Sequence, residues 1–157
     1  MSWLARLFRP QVELPAGYAQ RVSAWRELPA VRDSEPLTQT RFIVVDVETS
    51  GLDTRKDRLL SIGACAVEAL RLRVGENYET ILQRDEASER ENILIHGIGP
   101  QAQAAGRPPE ESLMEFLEFA GRHTLVAFHT GFDQAMLRRD LRQTLGVRVP
   151  NRWIDLA

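Results

Sequence analysis

The chain has 157 residues, 43% of them hydrophobic and 27% charged, with a formal net charge of −2. That length suits one domain with a single sizeable core, and the charge balance excludes a broad basic field of the kind that grips long duplex without regard to sequence. Cys65 is the sole cysteine, which excludes an internal disulfide or zinc cluster and points to a reducing, cytoplasmic setting; no apolar run reaches the ~18 residues of a transmembrane segment and no secretory core opens the chain.

Residues 1–40 read as an arginine-rich arm punctuated by Pro10, Pro15, Pro29 and Pro36. Trp3, Leu4, Leu7 and Phe8 share one side of a short helix that Pro10 stops, either an arm docked on the domain or a weak partner-binding or membrane-surface helix. Tyr18, Val22 and Trp25 recur at helical spacing, so a second, packing helix is expected before Leu28 and Pro29.

Residues 41–157 form the main domain. The β-branched run 42–47 reads as its central strand, and Gly51 permits a tight exit from it. A polar loop, 53–58, leads to a second strand at 59–68, whose Gly63, Ala64 and Ala66 allow close approach of neighbours. A third strand, 72–82, should be interrupted near Gly75, and the short link predicts an antiparallel meander. Residues 84–91 are charged and expected to be exposed. An apolar run from Asn92 then reaches a glycine-flanked turn holding Ile95, His96 and Gly97. A lone histidine in such a place is ordinarily a satisfied structural one.

Pro108 and Pro109 start a helix with Leu113, Phe116, Leu117 and Ala120 on one stripe and Glu110 and Glu111 in the first turn, where the helix dipole favours them. A fourth strand, 124–128, follows this crossover and should lie parallel to the first. The next helix, 132–145, turns Phe132, Met136, Leu137, Leu141 and Leu145 inward and leaves Arg138, Arg139 and Arg142 to solvent, with Gly146 ending it. Residues 152–157 begin a fifth strand. This order predicts an α/β fold, a mixed five-stranded RNase H-like sheet flanked by helices, apparently without its C-terminal helices; Trp153, Ile154 and Leu156 should then expose an apolar patch that promotes self-association.

Asp46 and Glu48 are two residues apart on a strand and point the same way. Such a pair is either two hydrated acids at a strand end or a site for a hard divalent cation with oxygen ligands. Asp133, alone, reads as a first-turn helix carboxylate. If the first and fourth strands are parallel neighbours, their carboxyl ends bring Asp46, Glu48 and Asp133 together as a metal site.

The stretches FIVVDVETSGL at 42–52, IHGI at 95–98 and LVAFHTGFD at 125–133 agree in order and spacing with a known family. They resemble the DEDDh 3′-to-5′ exonuclease superfamily, to which the epsilon subunit of DNA polymerase III belongs, over residues 40–157. The resemblance implies two Mg²⁺ or Mn²⁺ ions, with Asp46 bridging them and Glu48 and Asp133 completing their shells. It implies that Thr49 and Gly51 meet the 3′-terminal nucleotide, that Ile95 and His96 lie against it, and that Phe132 packs near its sugar or base. The substrate would be the 3′ end of single-stranded DNA or RNA, and a polymerase or other replication or repair partner would be in keeping.

Two pieces of the family pattern are not found. None of His96, His123 or His129 begins the His-x-x-x-x-Asp motif that supplies a general base and a fourth acid, and Asp155 sits in a Trp-x-Asp segment that is not that acid. Where relatives read His-Asn, this chain reads Phe128-His129. The expectation is an exonuclease fragment with little activity of its own; the competing reading is a non-catalytic nucleic-acid-binding or scaffold domain.

Overall fold

A computed structural model describes residues 12–31 and 36–157, so the expected helix around Trp3 to Phe8 lies outside the described residues. The elements in order are α1 (Ala16–Arg26), β1 (Arg41–Thr49), β2 (Leu59–Glu68), β3 (Arg71–Ile81), α2 (Arg90–His96), α3 (Pro100–Ala104), α4 (Pro109–Ala120), β4 (Thr124–Ala127), α5 (Thr130–Thr144) and β5 (Trp153–Asp155). The five strands form one sheet in the order β3-β2-β1-β4-β5. β1, β2 and β3 are the antiparallel meander, and β4 is parallel to both β1 and β5, as a crossover through α4 requires.

Period-two alternation decides which face of the sheet is filled. Ile43, Val45 and Val47 of β1 stand opposite Ala66, Ala64 and Ile62 of β2, and all six belong to one core with Leu113, Phe116 and Leu117 of α4 and Met136, Leu137 and Leu141 of α5. Tyr78 and Thr80 of β3 extend this face and fasten α4 to it through Ser112, whose carbonyl accepts the Tyr78 hydroxyl at 2.6 Å. The second helix expected in the arm is α1: Val22 and Trp25 are buried in the same core, Trp25 Nε1 donates to the Gly121 carbonyl at 3.1 Å, and Arg21 forks onto Glu118 of α4.

The interruption expected at Gly75 is present, with φ +98° there and four residues of β3 spanning a gap that one residue of β2 closes. Other expectations need correction. The run from Asn92 becomes helix α2, which Gly97 ends in a left-handed conformation at φ +72°. β4 stops at Ala127, leaving Phe128 66% exposed, and α5 starts two residues early at Thr130.

The stretch 84–91 is not uniformly exposed: Ser88 is buried, and Arg84 is drawn in by Asp140 of α5 at 2.8 Å and by the Leu59 carbonyl. Arg139 is likewise not solvated but donates to the carbonyls of Thr54 (2.6 Å) and Asp57, while Arg138 and Arg142 are exposed as expected. At the far edge Trp153 and Ile154 are half-buried and Leu156 is 61% exposed, so the apolar patch is smaller than the sequence suggested.

Candidate active site

The opposite face of the sheet is where the acids stand. Val44, Asp46 and Glu48 of β1 pair with Cys65, Gly63 and Ser61 of β2, and these line an open cleft of about 530 Å³ with Asn77, Glu79 and Ile81 of β3, His96 at the end of α2 and Ile98 just beyond it. Gly63 lies directly across from Asp46, and a Cβ there would meet nothing within 4 Å, so the floor beside Asp46 is left open.

Asp133 reaches this group from the first turn of α5, only 5% exposed. Burial, then the charge of Asp46, push its carboxyl up to about 6, while the backbone N–H groups of Val47 and of Asp133 itself pull the other way. Glu48 is raised by burial and then by Asp46. Asp46 therefore sits electrostatically between the other two. Among the described residues no lysine or arginine lines the cleft to neutralise them.

An all-oxygen carboxylate set with uncompensated charge fits a hard divalent cation such as Mg²⁺ or Mn²⁺. The fit is one of charge and donor chemistry: among the described residues no three His, Cys, Asp or Glu side chains stand in a ready-made ligating arrangement. His96 adds a donor. Its Nδ1 accepts the Ile98 N–H at 3.0 Å, which assigns the proton to Nε2, and Nε2 is buried without a hydrogen-bond partner among the described residues.

The loop after β1 is pinned on both sides. Thr49 is buried and its hydroxyl donates to the Gly51 carbonyl at 2.7 Å; Ser50 Oγ donates to Asp57, whose other oxygen accepts the Asp53 N–H at 2.7 Å. A side chain at Gly51 would run into that Asp57 carboxylate at 2.5 Å, which is the reason for glycine here. Asn92 Nδ2 donates to the Ser50 carbonyl at 2.6 Å, tying α2 to the loop. Leu52, next to Gly51, and Ile95, next to His96, are apolar and 85% and 82% exposed.

The cleft thus unites Asp46, Glu48 and His96, with Asp133 coupled through Asp46 and Val47; Phe132 packs partly against the core instead of lining the cleft. His129 does not line it either: it is exposed, edge-on to Phe128 at 4.5 Å, and forms the left-handed N-cap of α5. Asn92, Asp57, Arg139 and Gly63 went unread as site-shaping residues. Asp57 alone left a local trace, as the fifth residue of a polar turn that Asp53 opens.

The profile of the RNase_T family, described as Exonuclease, matches residues 43–156, a span holding all of these acids. The chain belongs to the RNase_T exonuclease family. This bears out the resemblance drawn from the three motifs. Among relatives, the PolC-type DNA polymerase III of Thermotoga maritima is 29% identical over 123 residues, covering 78% of this chain but 9% of that protein. The DNA polymerase III subunit epsilon of Aquifex aeolicus is 28% identical over 70% of this chain and 54% of its own length.

In fold, the exonuclease domain is similar to apo exonuclease I, with a TM-score of 0.65 at 19% identity, covering 75% of this chain and 29% of that one. A structure of E. coli exonuclease I with a dT13 oligonucleotide gives 0.64 at 20%, covering 75% and 28%. The mixed sheet flanked by helices expected from the element order is therefore that of this fold family.

Proposed function

We propose that this domain is a metal-dependent 3′-to-5′ exonuclease that hydrolyses phosphodiesters at the 3′ end of a single strand. The observation that supports the reading is the electrostatic coupling of three acids: Glu48 on β1, and Asp133 in the first turn of the helix that follows parallel β4, are each raised by burial and then by the charge of Asp46. Asp46, Glu48 and Asp133 are the residues that would hold Mg²⁺ or Mn²⁺. A pair of such ions held there would supply Lewis-acid polarisation of the phosphoryl group, a more acidic water and stabilisation of the leaving oxygen.

The chain's own residues bind and orient. Nε2–H of His96 is a donor for a phosphate oxygen, Leu52 and Ile95 offer apolar contact to the terminal base, and the fixed Thr49–Gly51 loop holds the end in register. Phe132 lies behind this group as support. DNA is the favoured substrate because the relatives are DNA polymerase III proteins, which also makes a replication polymerase the natural partner and the cytoplasm the natural setting. No helix among the described residues is long and apolar enough to cross a membrane.

One observation favours a second reading. The sequence contains no His-x-x-x-x-Asp, and general acid–base assistance typically contributes about 10² to 10⁴-fold. Residues 1–157 alone should therefore cut slowly or only bind. The test incubates this chain with 5′-labelled DNA and RNA strands of one sequence in Mn²⁺. Slow shortening from the 3′ end that Asp133→Ala abolishes supports the exonuclease; binding without shortening supports a non-catalytic nucleic-acid-binding domain; neither binding nor cutting overturns both.

A further inference from the structure

Outside the carboxylate cleft, a concentration of like charge among the described residues lies along α5 and the segment after it. Arg138, Arg139, Arg142 and Arg148 line one cleft of about 590 Å³ with Gln143 and Val149, and an adjoining cleft shares Arg142, Gln143 and Arg148 and adds Arg26 of α1. Among the described residues no carboxylate lines either one. Arg139 is committed to Asp140 and to the loop carbonyls, but Arg26, Arg138, Arg142 and Arg148 are exposed and make no ion pair among the described residues. Elsewhere Arg21, Arg41, Arg58, Arg73, Arg84 and Arg107 each meet an acid, while Arg55, Arg71 and Arg90, scattered over separate elements, make no ion pair among the described residues.

Local helix physics explains only part of this. Arg142 sits in the last turn of α5, where the dipole favours a cation. Arg138 is its i−4 neighbour, a like-charge spacing that repels, and Arg148 comes from beyond the helix to the same concavity. A chain with net charge −2 that keeps its acids out of one arginine-lined concavity concentrates positive potential there. Guanidinium groups are the side chains best shaped for phosphate oxygens.

We propose that this cleft is a second contact for nucleic acid, taking the phosphodiester backbone of a single strand some way from its 3′ end. The inference rests on the functional reading above. α5 carries both ends of the path: Asp133 lies in its first turn and Arg142 nine residues on, about 14 Å along the axis at 1.5 Å per residue. A strand leaving the acids over the amino end of α5 reaches the outer arginines within a few nucleotides.

The test measures anisotropy of a labelled 20-nucleotide strand and a trinucleotide with the 157-residue chain, in Ca²⁺ to limit cleavage, across a salt series. The variant is Arg138→Gln/Arg142→Gln/Arg148→Gln, with Arg139 left in place because it holds the loop; matching melting curves establish that it folds. Single-strand affinity falls with log salt at a slope of about 0.7 per phosphate contact, so losing three contacts should flatten the slope by about 2. Between about 50 and 200 mM salt the wild type should then lose on the order of twenty-fold more affinity than the variant.

The 20-mer should weaken in the variant while the trinucleotide binds as before. Unchanged 20-mer affinity and slope in the variant overturn the cleft and leave the exonuclease reading standing, whereas a wild type that binds neither strand overturns that reading and this one with it. A poly-glutamate peptide that binds the wild type more tightly than the strand, and loses its binding in the variant, assigns the cleft to an acidic protein partner and overturns the nucleic-acid proposal.

Discussion

The carboxylate of Asp155, at the end of edge strand β5, accepts the backbone N–H of His129 at 3.0 Å, and its second oxygen accepts the Thr130 hydroxyl at the same distance. His129 is left-handed, with φ 59°, a conformation that costs a bulky residue free energy unless its surroundings hold it. α5 has no side-chain cap of its own, so Asp155 performs that task from a neighbouring strand, and the turn it fixes carries Asp133. Asp155→Ala should melt below the wild type and respond less to Mn²⁺; Asp155→Asn, which keeps an acceptor, should fall between. A thermal melt in which Asp155→Ala equals the wild type on both counts would show that His129 holds its conformation unaided.

Asp133 gives the metal-free protein a pH dependence of definite sign. Burial and Asp46 push its carboxyl up to about 6, from an ordinary value of 3.8. The folded state thus binds this proton more tightly than the unfolded one; the stabilisation is complete below about pH 4 and is lost as pH rises through about 6. Between pH 4 and 7 the group should cost on the order of 2 to 3 kcal/mol. Denaturant unfolding in a chelator at both pH values should show the difference, and Asp133→Asn should remove most of it. A variant with the wild-type pH slope would mean that other groups govern it.

What could be read along the chain was whatever local periodicity and short spacings encode. Ile43, Val45 and Val47 alternate with Asp46 and Glu48, which is enough to place the acids on the face opposite the core. Pro109 and the Leu113, Phe116, Leu117 stripe likewise announce α4. The side-chain partners that were misread are long-range. Arg84 looks solvent-facing because its partner Asp140 is 56 positions away, and Arg139 because the Thr54 and Asp57 carbonyls are more than 80 away. Asp155 as a cap for His129 could not be read either, since it depends on β5 docking beside β4.

Gly51 tests the pinned loop. A methyl group there would meet the Asp57 carboxylate at 2.5 Å, and Asp57 cannot simply swing aside because it holds Ser50 Oγ and the Asp53 N–H. Gly51→Ala should therefore destabilise by about 1 to 3 kcal/mol, the usual range for a clash in a packed setting. Asp57→Ala in the Gly51→Ala background should recover part of that loss, since it removes the obstacle. Urea unfolding of the four proteins measures the coupling, and strictly additive effects would count against the contact.

Asp46 carries the sharpest test of the metal assignment. Its charge raises both Glu48 and Asp133, so Asp46→Asn relieves repulsion, and the metal-free variant should melt at or above the wild-type temperature near pH 7. A ligand at about a hundred times its dissociation constant adds ~2.7 kcal/mol of stability. For a domain of this length that is roughly 5 to 10 °C in the melting temperature. The wild type should show a rise of that size in saturating Mn²⁺, and Asp46→Asn should show almost none, although Glu48 and Asp133 remain. The two halves separate the explanations. A variant that is simply misfolded would melt low without metal, whereas loss of the ion's anchoring carboxylate leaves the metal-free melt intact and removes only the increment. Full metal response in Asp46→Asn would remove Asp46 as the anchoring ligand and take the proposed chemistry with it.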